Sequence, residues 1–165
     1  MGLFDFLKKD KAEEWFNVYS PLNGKVIDLS EVPDEAFAQR MIGDGCAIEP
    51  SNGSVFAPVD GDVDIFDTNH AVSFEVPNGL EMIVHFGINT VQLKGQGFTR
   101  VCDSNTLVKV GQELVKYDLE FLTTNAPSVK TPIIITNMDI VDRIDVVAKG
   151  EVKAGDLLMK IKLKK

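Results

Sequence analysis

Residues 71–86 read AVSFEVPNGLEMIVHF, two apolar runs on either side of the turn sequence Pro77-Asn78-Gly79. Short runs rich in Val, Ile and Phe indicate β-strands, and Asn-Gly between two such runs is a strong hairpin signal. Asn and Gly both accept the positive φ angles that a two-residue type I′ turn requires. The stretch therefore predicts an antiparallel hairpin with a two-residue loop between the strands Ala71–Val76 and Leu80–Phe86.

The same pattern extends along the chain from Phe16 onward, where short apolar segments alternate with Gly, Pro, Asn and Asp. This alternation is typical of an all-β domain. The further predicted strands are Lys25–Leu29, Ser54–Ala57, Asp62–Asp67, Glu113–Tyr117, Ile133–Thr136 and Leu157–Ile161. Only short helices are predicted: one begins near Val32, with Ser30 as its N-cap and Pro33 in its first turn, and the other covers Leu119–Thr124.

Two short motifs each occur twice in the chain. Pro21-Leu22-Asn23-Gly24 recurs as Pro58-Val59-Asp60-Gly61, and VKVGQ at 108–112 recurs as VKAGD at 152–156. In the first motif Pro presets one turn residue and Gly accepts a positive φ. The same turn chemistry in both halves predicts an antiparallel β-sandwich or barrel with an internal pseudo-duplication.

Length and charge narrow the class of protein. A chain of 165 residues is one ordinary domain. Its net charge of −8 repels nucleic acid phosphates, and no basic stripe offsets this charge, so we expect no nucleic acid partner. No run approaches the roughly 18 apolar residues of a membrane-spanning helix. We expect Cys46 and Cys102 to be reduced thiols.

The first residues differ from the rest of the chain. We expect residues 1–16 to be a flexible or amphipathic segment and residues 17–165 to be a single domain. The apolar residues of this segment are Leu3, Phe4, Phe6 and Leu7, with Lys8, Lys9 and Lys11 beside them. Asp5 interrupts the apolar run, which argues against a signal peptide. A frayed tail and a weak membrane-surface contact through residues 1–9 both fit this pattern.

The chain has only two histidines, His70 and His85, one at the outer end of each predicted hairpin strand. Any two-residue loop at residues 77–79 places both imidazoles on the same face, because side chains alternate along a strand. Their separation would be about 5 Å if directly opposite and about 7–8 Å if diagonal. An odd-length loop or a bulge would remove this inference.

Three uses of such a pair compete. The first is an ordinary structural pair of histidines. The second is a zinc site, but zinc requires three or four protein ligands, and Asp67 and Glu81 have no recognised ligand spacing. The third is nucleophilic chemistry, because a neutral imidazole with a pKa near 6.5 can attack phosphorus while a second imidazole hydrogen-bonds to the phosphoryl oxygens.

The local sequence favours the third use. Thr68 precedes His70 by two residues and can orient its ring, while residues 83–87 (IVHFG) deliver His85 on an apolar strand. Such a setting suits a nucleophile in an apolar docking patch. We expect Gly87 to let a partner or a phosphoryl group approach closely.

The runs FDTNHA at 66–71 and VHFGINTV at 84–91 resemble the glucose-type enzyme IIA of the bacterial phosphoenolpyruvate-dependent sugar phosphotransferase system. The resemblance extends from about Val18 to Ile161. Further matching motifs are Gly43-Asp44-Gly45, Ala57-Pro58-Val59-Asp60-Gly61, Leu93-Lys94-Gly95-Gln96-Gly97-Phe98 and Thr136-Asn137-Met138.

The resemblance implies a fold, an activity and a set of partners. The fold is an antiparallel β-sandwich of the duplicated hybrid motif type. His85 takes a phosphoryl group from phospho-HPr and passes it to a cysteine on the IIB domain of a glucose-type sugar permease. His70 stabilises the phosphoryl group and Thr68 hydrogen-bonds to His70; the spacing of the residues by itself does not rank one histidine over the other. The resemblance also implies a cofactor-free protein in the cytoplasm, peripheral at the inner membrane face if residues 1–9 bind lipid.

A docking surface follows from the same resemblance. In the family this surface is apolar with an acidic rim, and here its apolar places hold Phe37, Met41, Ile42, Phe66, Ile83 and Val91. Asp34 keeps one of the family's acids. Asn89 and Gln92 stand where the family commonly has Asp and Glu, and these differences bear on HPr affinity.

Other classes of protein fit less well. Biotinyl and lipoyl carrier domains share the Gly-turn motifs but require a lysine at a hairpin tip, and Pro77-Asn78-Gly79 has none. A zinc peptidase of the lysostaphin type needs a third histidine. Gly95-Gln96-Gly97 lacks the third glycine of a phosphate-binding loop. A regulatory docking module stays open, in which His70 and His85 bind a partner, such as a permease or a metabolic enzyme, or a bridging zinc with a partner-supplied ligand.

Overall fold

The computed structural model describes residues 14–165, so the predictions made for residues 1–13, including the membrane contact, lie outside the described residues. The strands are β1 Phe16–Tyr19, β2 Gly24–Ile27, β3 Asp44–Pro50, β4 Ser54–Phe56, β5 Gly61–Ile65, β6 Ala71–Glu75, β7 Glu81–His85, β8 Phe98–Arg100, β9 Thr106–Val108, β10 Glu113–Tyr117, β11 Thr131–Ile135, β12 Val141–Val146, β13 Glu151–Val152 and β14 Leu157–Leu163. The α-helices are α1 Glu35–Ala38 and α2 Leu119–Asn125, and single 3₁₀ turns cover Leu29–Glu31, Thr90–Leu93 and Met138–Ile140.

The strands form one large and two small antiparallel sheets. The large sheet has the order β13-β2-β3-β11-β7-β6-β5-β9, and the small sheets have the orders β1-β14-β12 and β4-β10-β8. The main core contains apolar side chains from all three sheets, including Phe74, Val84, Val115 and Ile161. The predicted fold class, an antiparallel β-sandwich with short helices, is therefore confirmed.

A second, smaller apolar cluster involves α1 and the large sheet. Phe37 from α1 packs there with Ile27, Ala47 and Ile134, and Ile83 lies against the cluster. In strand β11, Ile133 and Ile135 belong to the main core while Ile134 belongs to the second cluster. This strand is buried throughout, which accounts for its unbroken run of apolar residues.

Backbone hydrogen bonds confirm the predicted pseudo-duplication. Each half uses the residue just before its Pro-x-Asn/Asp-Gly motif to pair with a later glycine turn. In one half, Ser20 N–H donates to the Asp156 carbonyl (2.7 Å), and Gly155 N–H donates to the Ser20 carbonyl (2.9 Å). The matching bonds in the other half are Ala57 N–H to Gln112 O (2.9 Å) and Gly111 N–H to Ala57 O (2.9 Å).

The hairpin loop is not the predicted two-residue loop. Val76 N–H donates to the Leu80 carbonyl (2.9 Å), which leaves a three-residue loop, and Gly79 N–H donates to the Val76 carbonyl (2.8 Å). Pro77 presets the first corner of a type I turn and Gly79 takes the positive φ, at 100°. The extra residue shifts the register, so that His85 pairs with Ala71.

The start of the first helix also differs from the prediction. Ser30 lies in a 3₁₀ turn that Asp28 caps, and it is not the N-cap of α1. Asp34 is the N-cap, and its Oδ1 accepts the amides of Ala36 (2.9 Å) and Phe37 (3.4 Å). The second helix begins after Asp118, as predicted.

Several strands were not predicted. The longest of these is β3, Asp44–Pro50, which contains Gly, Cys and Ala in place of a run of β-branched residues. These small side chains are buried between neighbouring strands β2 and β11, where tertiary packing outweighs local strand preference. Among residues 14–165, no helix is both long and apolar enough to cross a membrane.

Candidate active site

His85 is the last residue of β7, and its ring orientation is set by a backbone carbonyl. Its Nδ1 lies 2.6 Å from the Gly87 carbonyl oxygen. A carbonyl can only accept, so Nδ1 carries the ring proton and Nε2 keeps its lone pair. Nε2 is therefore the nucleophilic atom of this imidazole.

Gly87 has a different task from the one predicted. Its φ is 79°, and a Cβ built on it would lie 2.7 Å from the Ser128 carbonyl oxygen. The close approach that requires glycine is therefore made by this chain's own backbone, and Gly87 is buried. Its carbonyl reaches His85 because the chain can turn sharply here without a side chain.

His70 lies just before β6 and is 6% exposed. Its Nδ1 is hydrogen-bonded to the hydroxyl of Thr68, the contact that the family resemblance implies. Asn69 between them has a φ of 58°, in the left-handed region, so the chain turns at this residue. A single left-handed Asn is well tolerated because its short side chain can hydrogen-bond locally.

The two imidazoles lie side by side, with ring centroids 5.1 Å apart and an interplanar angle of 79°. Strand alternation does not produce this contact, because the observed register puts His85 opposite Ala71 and His70 opposite Phe86, whose N–H donates to the His70 carbonyl (2.8 Å). The turn at Asn69 carries the His70 ring onto the face of His85. The predicted juxtaposition is correct, but the two-residue hairpin from which we inferred it is wrong.

Aromatic rings surround the pair. The Phe37 ring lies 5.4 Å from His85, and the Phe66 ring meets His70 edge-on at 5.5 Å. Burial lowers the pKa of His70 to about 4, with a further contribution from His85. Burial also lowers the pKa of His85, although the hydrogen bond to Gly87 and the charge of Asp34 act in the opposite direction. Both imidazoles are therefore neutral at pH 7.

All the residues predicted to form the docking surface except Phe37 fall into two groups. Met41 (72%), Ile42 (38%) and Val91 (49%) are exposed large apolar side chains, and Asn89 is exposed as well. Phe66, Ile83 and Asp34 are half-buried.

Phe37 corrects the prediction, because it is only 7% exposed. It packs in the second apolar cluster and supports the His85 ring. Phe37 therefore lies below the surface and supports the His85 imidazole.

Arg100 is a neighbour of the site that we did not predict. Its Nε donates to Asn69 Oδ1 at 3.0 Å across a sequence separation of 31 residues. No local pattern signals a contact of this kind. Among residues 14–165, no group of three or more His, Cys, Asp or Glu side chains is arranged to hold a metal ion.

An antiparallel β-sandwich with two adjacent neutral imidazoles beside exposed apolar side chains defines a protein suited to carry a group on histidine and to meet partners transiently. Residues 16–141 match the family model described as phosphoenolpyruvate-dependent sugar phosphotransferase system, EIIA 1. The chain belongs to this family, and it is a phosphotransferase component that acts as a phosphoryl carrier.

Individual relatives agree with this assignment. The glucose-specific EIIA component of Haemophilus influenzae is 45% identical over 160 residues, covering 94% of this chain and 95% of that protein. The component of the same name from Borreliella burgdorferi is 46% identical over 146 residues, covering 88% and 76%. The structure of glucose permease IIA from Mycoplasma capricolum superposes with a TM-score of 0.86 at 39% identity, covering 90% of this chain and 97% of that one.

Proposed function

We propose that this protein accepts a phosphoryl group from phospho-HPr on Nε2 of His85 and passes it to a cysteine on the IIB domain of a glucose-type permease. The observation that carries the proposal is the hydrogen bond from His85 Nδ1 to the Gly87 carbonyl. It directs the lone pair to Nε2 of a neutral imidazole, which has a second imidazole beside it.

The reaction consists of two transfers. In the first, the Nε2 lone pair of His85 attacks phosphorus, a P–N bond forms, and the bond from phosphorus to the donor breaks with its electron pair returning to the donor. In the second, the thiolate of the acceptor cysteine attacks the same phosphorus. The P–N bond then breaks and its electron pair returns to Nε2, which restores the neutral ring held by Gly87.

His70 stabilises the phosphoryl group once His85 carries it, and its role is in the onward transfer to IIB. In this proposal the Thr68 hydroxyl donates to His70 Nδ1, and the ring proton of His70 is then on Nε2. That N–H can donate to a phosphoryl oxygen carried by His85. In a half-buried, apolar setting such a hydrogen bond is worth more than in water, since less solvent competes for the oxygen.

The relatives support the choice of sugar and partner. Those named above are glucose-specific components, so we propose glucose as the sugar. The glucose-specific EIICBA component of Staphylococcus carnosus is 44% identical over 146 residues, which are only 22% of that longer protein. A covalent link between A and B domains in a relative supports direct transfer to a IIB domain. Phospho-HPr is proposed as the donor from the family resemblance. To meet phospho-HPr and the IIB domain, the protein has to work in the cytoplasm, which we propose as its location.

The test is reconstitution with phosphoenolpyruvate, enzyme I and HPr, followed by intact mass and site mapping at neutral to alkaline pH. We expect one acid-labile phosphoryl group on His85. His85→Gln should abolish loading. His70→Gln should still load but fail to pass the group to IIB. Normal onward transfer by His70→Gln would contradict the role given to His70.

A regulatory docking module is the second candidate, and the adjacency of the two imidazoles favours it. They supply two zinc ligands, fewer than a stable site requires, so the chain by itself does not fit a resident zinc. Zinc binding then depends on a ligand from a partner. An unphosphorylated protein, under conditions that load a control IIA, would support this candidate and would direct attention to Asn89 and Gln92.

A further inference from the structure

The loop that carries Thr68 and His70 lies between strands β5 and β6. Within the loop, Phe66 N–H donates to the Ala71 carbonyl (3.0 Å) and Asn69 N–H donates to the Phe66 carbonyl (2.7 Å). These bonds close the loop, but they do not determine how its tip lies against the rest of the molecule. Phe86 N–H donates to the His70 carbonyl (2.8 Å) and anchors the backbone of His70, but the turn at Asn69 needs further contacts from outside the loop.

Arg100, the last residue of β8, supplies such contacts. Its Nε donates to Asn69 Oδ1 (3.0 Å), and its Nη2 donates to the carbonyls of Phe66 (3.3 Å) and Ile65 (3.4 Å). The planar guanidinium suits this task because its donors point in fixed directions and can bridge several acceptors at once. Among residues 14–165, none of the recorded ion pairs includes Arg100, so its donors are directed to this loop.

A second contact holds the end of β5, directly before this loop. Ser104 Oγ accepts the Ile65 amide (2.7 Å) and donates to Asp64 Oδ1 (2.9 Å). The segment after β8 therefore braces the end of β5, and Arg100 extends this brace to Asn69. Asn69 is the left-handed residue at which the chain turns to bring His70 over His85.

We propose that Arg100 is a positioning residue for onward phosphoryl transfer, acting through Asn69 and the Phe66 carbonyl to hold the His70 ring beside His85. This inference rests on the proposed function. The hydrogen bonds of Arg100 go to Asn69 and Phe66 in the loop and to Ile65 at the end of β5, and none goes to an imidazole. Loss of the Arg100 hydrogen bonds should therefore slow onward transfer to IIB, which needs His70, more than loading of His85.

The experiment compares Arg100→Met with Arg143→Met, a matched control. Arg143 is exposed, and it lies near Trp15 and Asp145, which take no part in the site. We expect Arg100→Met to slow transfer from the phosphorylated protein to IIB about tenfold, the effect of losing roughly 1.4 kcal/mol, while loading of His85 changes less than threefold. Arg143→Met should leave both steps unchanged.

A double-mutant cycle tests the proposed route through Asn69. Asn69→Gly keeps access to the left-handed conformation but removes the acceptor for Arg100. Because Arg100 also donates to the Phe66 and Ile65 carbonyls, Arg100→Met in the Asn69→Gly background should still add to the defect in onward transfer, but by less than it does in the wild-type background. Arg100→Lys, which keeps the charge but not the planar fork, should restore less than half of the lost rate.

A third readout does not require phosphoryl transfer. Imidazole NMR should show the pKa of His70 rising from about 4 towards its ordinary value in Arg100→Met, because the ring becomes less buried, while that of His85 moves less. Three results would overturn the proposal: equal effects of the Arg100 and Arg143 variants, simple additivity with Asn69→Gly, or an unmoved His70. If the wild-type protein neither loads nor transfers, the proposed function fails. The pKa of His70 in wild type and in Arg100→Met would still show whether Arg100 positions the His70 ring.

Discussion

His70 and His85 have the same side chain but different tasks, and the hydrogen-bond partner of each ring makes the difference. A carbonyl acceptor holds the Nδ1–H of His85, whereas a hydroxyl is bound to Nδ1 of His70. A hydroxyl can donate and a carbonyl cannot. The first ring therefore offers a lone pair at Nε2, and the hydroxyl allows the second ring to carry its proton on Nε2, as the proposed nucleophile and its electrostatic partner require.

The lowered pKa values lead to a prediction about pH. We expect imidazole NMR to show His70 titrating near pH 4 and His85 below its ordinary value of 6.5. Between pH 4 and pH 6.5 the histidines bind more protons in the unfolded chain than in the folded one. The free energy of unfolding therefore falls as the pH decreases from 6.5 towards 4. His70→Gln should lose less stability over this range in urea unfolding at pH 7 and pH 5. An equal loss in both proteins would contradict the assignment.

Thr68 allows a matched pair of substitutions. Thr68→Val keeps the shape but removes the hydroxyl, so His70 loses the partner that fixes its tautomer. We expect onward transfer to slow about tenfold, as for the loss of a hydrogen bond worth roughly 1–1.5 kcal/mol. Thr68→Ser keeps the hydroxyl and should retain most of the rate. Indistinguishable Val and Ser variants in single-turnover transfer to IIB would exclude this role.

The short helix α1 joins the second apolar cluster to the site through both Asp34 and Phe37. Asp34 caps the helix, and its charge raises the pKa of His85. Asp34→Ala removes both effects and should cost about 1 kcal/mol of stability in urea unfolding. Asp34→Asn removes only the charge, so its stability should stay near wild type while the pKa of His85 falls further. A large stability loss in the Asn variant would show that the cap depends on charge.

The turn after β7 depends on Gly87, and Gly150 provides a control. Both have positive φ angles, 79° and 71°, but a Cβ at Gly150 would meet nothing within 4 Å, while one at Gly87 would lie 2.7 Å from the Ser128 carbonyl. Gly150→Ala should cost about 1–2 kcal/mol in unfolding free energy from φ alone. Gly87→Ala should cost more and should also slow loading of His85, because the carbonyl that orients the ring must move. Equal costs would contradict the steric argument.

The molecule as a whole presents exposed apolar side chains both within and outside the predicted docking surface. Met41 (72% exposed) belongs to the predicted docking surface, whereas Leu107 (77%) lies on β9 at an edge of the large sheet. Met41→Asp should raise the concentration of phospho-HPr needed for half-maximal loading several-fold, since it places a charge in an apolar contact. Leu107→Asp should not.

Both Asp variants should keep wild-type stability within about 0.5 kcal/mol, because neither side chain is buried. Steady-state loading with varied phospho-HPr, together with urea unfolding, separates these effects. A similar loss of docking in Leu107→Asp would mean that the contact surface lies elsewhere.

The sequence by itself determined the fold class, because strand periodicity and Gly-Pro turn chemistry are local properties. It also determined the duplication, since the repeated motifs make the same hydrogen bonds in both halves. The histidine motifs were equally readable, and the resemblance they carry led to the phosphoryl carrier.

Only the tertiary structure decided which atoms meet. A two-residue and a three-residue loop both suit Pro77-Asn78-Gly79, yet they differ by one step of register, and one step reverses the face of every side chain. The turn at Asn69 restores the contact of the histidines, and Arg100 stabilises that turn from 31 residues away. Contacts between residues so far apart depend on how the sheets pack, and no local pattern in the sequence records that packing.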